Sequence, residues 1–279
     1  MQMRHVEGMF TGSGGPSLYY QAWRPQETVR AAVVIVHGIG EHSGRYLNVV
    51  NHLGPRGYAV WAYDHRGHGR SGGPRVHVDR WSQYLEDLHT FLPIARGQET
   101  GLPLFVLGHS MGALIVLEYL QAHQDELRGA IISGAPIQPV GVAKPYLVAL
   151  ARMLSPVIPR FTIRTKLDVE ALSRMPTVVR AYRDDPRVYG VATVRWGAEA
   201  LEAVERVKGG LGKIRLPVLI IHGAADRLNS SDGARLAFER IASPDKTLRI
   251  YPETYHEPHN DMNFEEVLRD VEGWLDAHI

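Results

Sequence analysis

Leu104-Phe105-Val106-Leu107-Gly108-His109-Ser110-Met111-Gly112-Ala113 changes its period halfway along. Up to Leu107 it is an apolar run with the length of a buried parallel strand, and beyond Ala113 the apolar residues recur at Leu114, Leu117 and Leu120, at helical spacing. Between the two lies Gly-x-Ser-x-Gly, a sharp strand-to-helix turn that lifts Ser110 out at the carboxyl end of a sheet, beside a helix N-terminus that favours negative charge. Glycine is needed on both sides because the serine backbone is strained and the flanking chain passes too close for a Cβ.

Working outward from this turn, the chain alternates strands with helices. Residues 31–36, 58–63, 129–133, 218–221 and 247–251 read as strands, and 31–36 is apolar without interruption, as a strand covered on both faces must be. Helical periodicity occupies residues 46–53, 81–92 and 234–241 and a terminal helix ending near Ala277, for which Asn263 and Glu266 are expected to form the capping pair. Residues 6–12 and 18–24, separated by Ser13-Gly14-Gly15-Pro16, predict an antiparallel hairpin at a sheet edge. The fold class is α/β: a mostly parallel central sheet with helices on both faces, whose ligands gather at the carboxyl ends of the strands.

From about Pro136 the rhythm breaks. Residues 137–212 offer helical periods and no strand candidate, and are expected to form a helical cap inserted into a core made of residues 1–136 and 213–279. Within the cap, residues 140–158 carry only Lys144 and Arg152 as charges and read either as a core helix or as a lid presenting apolar surface. Residues 137–213 hold thirteen Lys or Arg against seven Asp or Glu, so a basic cap sits on an acidic body. A basic, apolar cap predicts transient contact with anionic membrane surfaces.

Composition narrows the classes further. With 279 residues and 44% hydrophobic content the chain can bury one large core, and a net charge of +1 gives no footprint for nucleic acid. The absence of cysteine rules out disulfides and thiolate catalysis. The opening residues Met1 to Glu7 lack the apolar run of a secretory signal, so a soluble, cytoplasmic protein is expected.

A serine hydroxyl is a poor nucleophile, so Ser110 needs a base to take its proton and an acid to hold that base in one tautomer. In this kind of fold the acid follows a late strand and the base follows the last one. Asp226, just beyond strand 218–221, is the expected acid, with Asp232 as its rival six residues on. His256 is the expected base because it lies nearer the last strand than His259, which would then line the site or face solvent. The oxyanion of a tetrahedral intermediate requires two N–H donors, expected from Met111 and Ile39. No cofactor is called for. His65 and His68, interleaved with Arg66 and Arg70, read as loop structure rather than as metal ligands, and Gly38-Ile39-Gly40 lacks the third glycine and the acidic residue of a dinucleotide fingerprint. Ser110 itself argues against the halide- and epoxide-cleaving chemistry that places a carboxylate at this position.

With these residues in hand, the chain resembles the monoglyceride lipase and lysophospholipase group of the α/β-hydrolases. The resemblance is carried by His37-Gly38-Ile39-Gly40-Glu41-His42-Ser43-Gly44-Arg45-Tyr46, Asp64-His65-Arg66-Gly67-His68-Gly69-Arg70-Ser71, the run from Gly72 to Asp79, Gly108-His109-Ser110-Met111-Gly112, His222-Gly223-Ala224-Ala225-Asp226 and Tyr255-His256-Glu257. It implies an α/β-hydrolase fold and cleavage of a fatty acyl ester of glycerol through an acyl-enzyme on Ser110. It also implies that Glu41, Arg45 and His259 line a polar end where glycerol binds. Read from the residues alone, Glu41 and Arg45 are equally a loop ion pair that fixes the oxyanion backbone. Asn229 departs from the small apolar residue that commonly follows the acid. A lysophospholipase, a general carboxylesterase or a peptidase would share the three catalytic residues, and a non-catalytic ligand-binding receptor could occupy the same scaffold.

Overall fold

The computed structural model describes residues 3–140, 152–165 and 167–279. Eight strands form one sheet in the order β1-β2-β4-β3-β5-β6-β9-β10: β1 Met3–Thr11, β2 Ser17–Pro25, β3 Ala31–Val36, β4 Tyr58–Tyr63, β5 Leu104–His109, β6 Gly129–Ser133, β9 Val218–Gly223 and β10 Lys246–Tyr251. The expected hairpin is present at one edge, where β1 pairs antiparallel with β2 over Met3↔Pro25 to Thr11↔Ser17. β2 is also antiparallel to β4, and every pairing from β4 through β10 is parallel.

Both faces of the central strands are buried, which explains their unbroken apolar sequence. In β3, Ala32, Val34 and Val36 point into one core and Ala31, Val33 and Ile35 into the other. The first core is closed by α2 (Ser82–Gln98), α3 (Met111–Tyr119), α5 (Val194–Gly210) and α6 (Ser231–Arg240); the second by α1 (Leu47–Leu53) and α7 (Phe264–Asp276). α3 is apolar almost all round and buried almost throughout, as befits the helix that carries the serine turn.

Two sequence expectations are corrected. The inserted segment does contain strands: β7 (Thr162–Arg164) and β8 (Val191–Thr193) pair antiparallel, too short to leave a period-two signal. Asn263 occupies the N-cap of α7 but its side chain does not cap the helix. Its Oδ1 accepts instead from Arg174 Nη2 at 3.1 Å and Thr254 Oγ1 at 2.8 Å, while its amide reaches Glu266 at 3.3 Å, so tertiary partners outcompete the local motif.

Between β6 and β9 the chain runs through β7, α4 (Pro176–Asp184), β8 and α5. α5 lays Ala203, Val204 and Val207 into the first core. The stretch before it docks onto the rim by polar contacts: Tyr189 N–H donates to Gly40 O at 2.8 Å, Glu257 N–H to Leu172 O at 2.8 Å and Arg174 N–H to Asp261 Oδ1 at 2.7 Å. Most of the apolar stretch 140–158 lies outside the described residues. No helix among the described residues is long and apolar enough to cross a membrane.

Candidate active site

Four strand ends converge on one point. β5 ends at His109, and Ser110 follows with φ 52° and ψ −118°, a conformation that an L-residue holds only when its surroundings impose it. The flanking glycines show what imposes it. A Cβ on Gly112 would run into the carbonyl of Val36 in β3, and one on Gly108 would sit 2.6 Å from Gly112 O. Ser110 N–H is held by Ser133 O of β6 at 2.9 Å, which fixes the turn from below.

The loop after β10 brings His256 Nε2 to 3.0 Å from Ser110 Oγ, and the loop after β9 brings Asp226 Oδ2 to 2.8 Å from His256 Nδ1. The three sequence-distant residues therefore meet in one chain of hydrogen bonds, in which Nδ1–H donates to the carboxylate and Nε2 is left to accept from the serine hydroxyl. Burial would raise the Asp226 pKa, but His256 and His222 beside it hold the carboxyl well below its usual range. Burial works against a charged His256, yet the Asp226 carboxylate, with Glu257 and Glu41 behind it, outweighs that and leaves the imidazole above its ordinary value. Such a base can take the serine proton and hold it as an ion pair. The rival Asp232 lies in the first turn of α6, where its N–H is capped by Ser230 Oγ at 3.2 Å.

The loop after β3 passes directly over the serine. Met111 is the first residue of α3, so its N–H has no partner within the helix, and Ile39 lies between two pinned residues. Gly38 N–H donates to Glu41 Oε1 at 2.6 Å, and Gly40 O accepts from Tyr189. Glu41 Oε1 also accepts from Tyr46 Oη at 2.7 Å and Oε2 from Arg45 Nη1 at 2.6 Å, so both oxygens are engaged in holding the loop. Arg45 forks onto Glu257 at 2.6 and 2.9 Å and lies over the Tyr182 ring at 4.6 Å. His259 stacks on Tyr46 at 4.8 Å, and neither of its ring nitrogens has a hydrogen-bond partner among the described residues. Burial pushes its pKa down to about 4. Glu41, Arg45 and His259 thus lie close together around Tyr46, with the ring nitrogens of His259 buried and unpartnered among the described residues.

The family described as Hydrolase_4, serine aminopeptidase S33, matches residues 27–263. The chain belongs to this hydrolase family. Among relatives, it is 39% identical to a "Monoacylglycerol lipase" of Mycolicibacterium smegmatis over 98% of both chains, and 34% identical to a "Monoglyceride lipase" of Homo sapiens over 94% of this chain and 87% of that one. A solved structure of a soluble variant of monoglyceride lipase from Saccharomyces cerevisiae, in complex with a substrate analog, superimposes with a TM-score of 0.88 at 27% identity, covering 97% of this chain and 94% of that one. The sheet and its helices are an α/β-hydrolase fold, as the serine turn predicted.

Sequence reading missed several hydrolase residues that the structure puts around the site. Asp64 binds Ser43 N–H and Oγ (2.8 and 2.6 Å) and Arg70 N–H (2.8 Å), stitching together the loops after β3 and β4. Asp261, fully buried, gathers the N–H groups of Arg174, Tyr255 and Met262. Both stand inside motifs or loops rich in polar residues, where nothing in the sequence distinguishes a loop-bracing carboxylate from a solvated one. Asn229, the departure from pattern, sends Nδ2–H to Gly134 O at 2.8 Å and so ties the acid loop to the end of β6. His65 donates its backbone N–H to His37 Nε2 at 2.9 Å and sets its own ring Nε2 3.1 Å from His37 O, while His68 Nδ1 lies 2.9 Å from Arg66 O, so these rings brace the loops.

Proposed function

We propose that this chain hydrolyses monoacylglycerol to glycerol and a fatty acid through an acyl-enzyme. Ser110 is the nucleophile, His256 the general base and then acid, and Asp226 the group that orients His256 and stabilises its charged form. Ile39 and Met111 supply the backbone N–H groups that receive the oxyanion. The observation that carries the reading is the Ser110–His256–Asp226 chain at 3.0 and 2.8 Å in a protein whose relatives bear monoacylglycerol lipase names over nearly their whole length.

In acylation, His256 Nε2 takes the Oγ proton as Oγ attacks the ester carbon, and the negative charge moves onto the carbonyl oxygen between the two N–H donors. His256 returns the proton to the departing glycerol oxygen. Water then follows the same route: it gives a proton to His256 as its oxygen bonds to the acyl carbon, and the acyl carbon–Oγ bond then breaks as His256 returns that proton to Ser110 Oγ, releasing the fatty acid. Glu41 acts on the oxyanion donors from behind, through Gly38 N–H, and the polar end bounded by His259, Arg45 and Tyr182 is the proposed seat of glycerol.

The segment 137–212 is proposed as a cap over this rim, anchored by α5, with residues 1–136 and 213–279 as the core. Six of the ten large apolar residues exposed among those described fall within residues 140–163, and exposed Arg152, Arg160 and Arg164 stand among them. This supports transient, charge-assisted contact of the cap with a membrane surface by an enzyme working from the cytoplasm, a compartment that a cysteine-free chain suits.

A panel of monoacylglycerols of rising chain length, diacylglycerols, lysophospholipids, short nitrophenyl esters and peptides tests the reading, with fluorophosphonate labelling of Ser110 alongside. Monoacylglycerols are expected to give the highest kcat/KM. A clear preference for short esters, lysophospholipids or peptides would replace the substrate, and no labelling of Ser110 would remove the enzyme altogether.

A further inference from the structure

Asp226 is not held by His256 alone. Its Oδ1 accepts from the N–H groups of Leu228 at 2.8 Å and Asn229 at 3.0 Å, so that oxygen is used up inside its own turn. Its Oδ2 faces His256 on one side and, on the other, His222 Nε2 at 3.2 Å. The His222 ring is fully buried at the end of β9, four residues before the carboxylate. Its Nε2 also lies 3.0 Å from Asn229 O. Both neighbours are acceptors, so Nε2 must carry the hydrogen; Nδ1 has no hydrogen-bond partner among the described residues.

We infer that His222 is a positioning residue for the reaction: its Nε2–H pins the Asp226–Asn229 turn through the Asn229 carbonyl and turns an electropositive edge toward the carboxylate oxygen that His256 uses. The inference rests on the reading of Asp226 as the acid that orients His256. Two consequences follow from the geometry. With the turn pinned and Oδ1 occupied, the carboxylate is denied the small rotation that would lengthen its bond to His256. With a positive edge on the far side of Oδ2, part of the carboxylate's hold on protonated His256 is offset, which keeps that imidazole ready to release its proton to the leaving group.

Substitution separates this role from simple packing. His222→Leu keeps most of the volume and removes the N–H; His222→Gln keeps an amide N–H at a similar reach, with two hydrogens for the two acceptors. For His222→Leu on a soluble ester, kcat should fall about tenfold with KM changed less than twofold. The acid limb of its kcat/KM profile should move to higher pH by roughly half a unit, because His256, still facing Glu257 and Glu41 and with the His109 ring 4.9 Å away, loses the opposing edge. His222→Gln should recover most of the rate and return the limb toward its original position. Melting curves show whether each variant is folded. An unchanged kcat and profile in His222→Leu overturns the inference. So does an equal loss in both variants with no movement of the limb, because that is a packing defect. Asp226→Asn is run in parallel: if it retains full activity, the reading of the acid has failed rather than the inference built on it.

Discussion

At the rim of the sheet, Asp226, His256 and Glu41 are buried and every carboxylate oxygen or ring nitrogen they present is engaged, whereas along the outer edge of the inserted segment Met153, Val157 and Phe161 stand 64%, 75% and 59% exposed. The first region is fixed by hydrogen bonds that lose much of their value if a donor moves by half an ångström. The second is held at its inner side by polar contacts to Gly40, Val76 and Asp261, and among the described residues these three apolar side chains stand exposed. One set of residues suits chemistry that needs a single geometry; the other suits contact with a surface that has no fixed shape.

The contrast is broken most severely at the rim. Ser110→Ala and His256→Ala should each lower kcat by roughly 10⁵-fold or more, and Asp226→Asn by about 10⁴-fold, with melting temperature little changed. His259→Ala should cost far less and act mainly on KM for the glycerol ester. If His259→Ala abolished turnover and His256→Ala did not, the assignment of the base would be reversed.

Next in size is the loop brace. Glu41→Gln keeps the volume but weakens the acceptor for Gly38 N–H and breaks the ion pair to Arg45, so kcat on a short nitrophenyl ester should drop about ten- to a hundredfold at nearly constant KM. An effect confined to KM on monoacylglycerol would make Glu41 a glycerol ligand instead of a support for the oxyanion loop.

How far the sequence foretold this contrast depends on where the signal lies. The central strands were legible because burial on both faces demands an apolar run, and Ser110 because only glycine fits between β3, β5 and α3. Asp226 and His256 were legible from chain order, since each follows a strand that the apolar pattern marks. The short strands β7 and β8 were hidden because three residues carry no period. His222 was quoted within a motif and yet its task was invisible, because nothing in a linear string says that a ring at the end of β9 faces the carboxylate four residues later. The braces at Asp64 and Asp261 join loops far apart in sequence, and only the packed strands bring those loops together.

Acid should weaken the packing behind the rim. Burial holds His37, His65, His68, His109 and His259 below the ordinary imidazole value, with His68 and His259 at about 4. The unfolded chain therefore binds protons at these sites below about pH 6.5 while the folded chain does not, and stability is lost as pH falls from there toward 4. His256, raised, works the other way, against these five and against His77, which burial also lowers. The melting temperature should fall by several degrees between pH 7 and pH 5. A rise over that interval would contradict the assignment of buried, uncharged rings behind the rim.

The smallest effect belongs to the exposed edge. Val157→Ser with Phe161→Ser should leave hydrolysis of a soluble ester unchanged and reduce turnover of monoacylglycerol in anionic vesicles by severalfold, more so at high salt. Equal losses on both substrates would mean that this edge supports the fold rather than meeting a surface.

The acyl-enzyme on Ser110 is tested most directly by trapping it. Rapid acid quench during turnover of a long-chain monoacylglycerol, followed by mass spectrometry of the peptides, should find the fatty acyl mass on the peptide that carries Ser110 and lose it in Ser110→Ala. Turnover with no acylated peptide at any time, or with the acyl group on another residue, would contradict it.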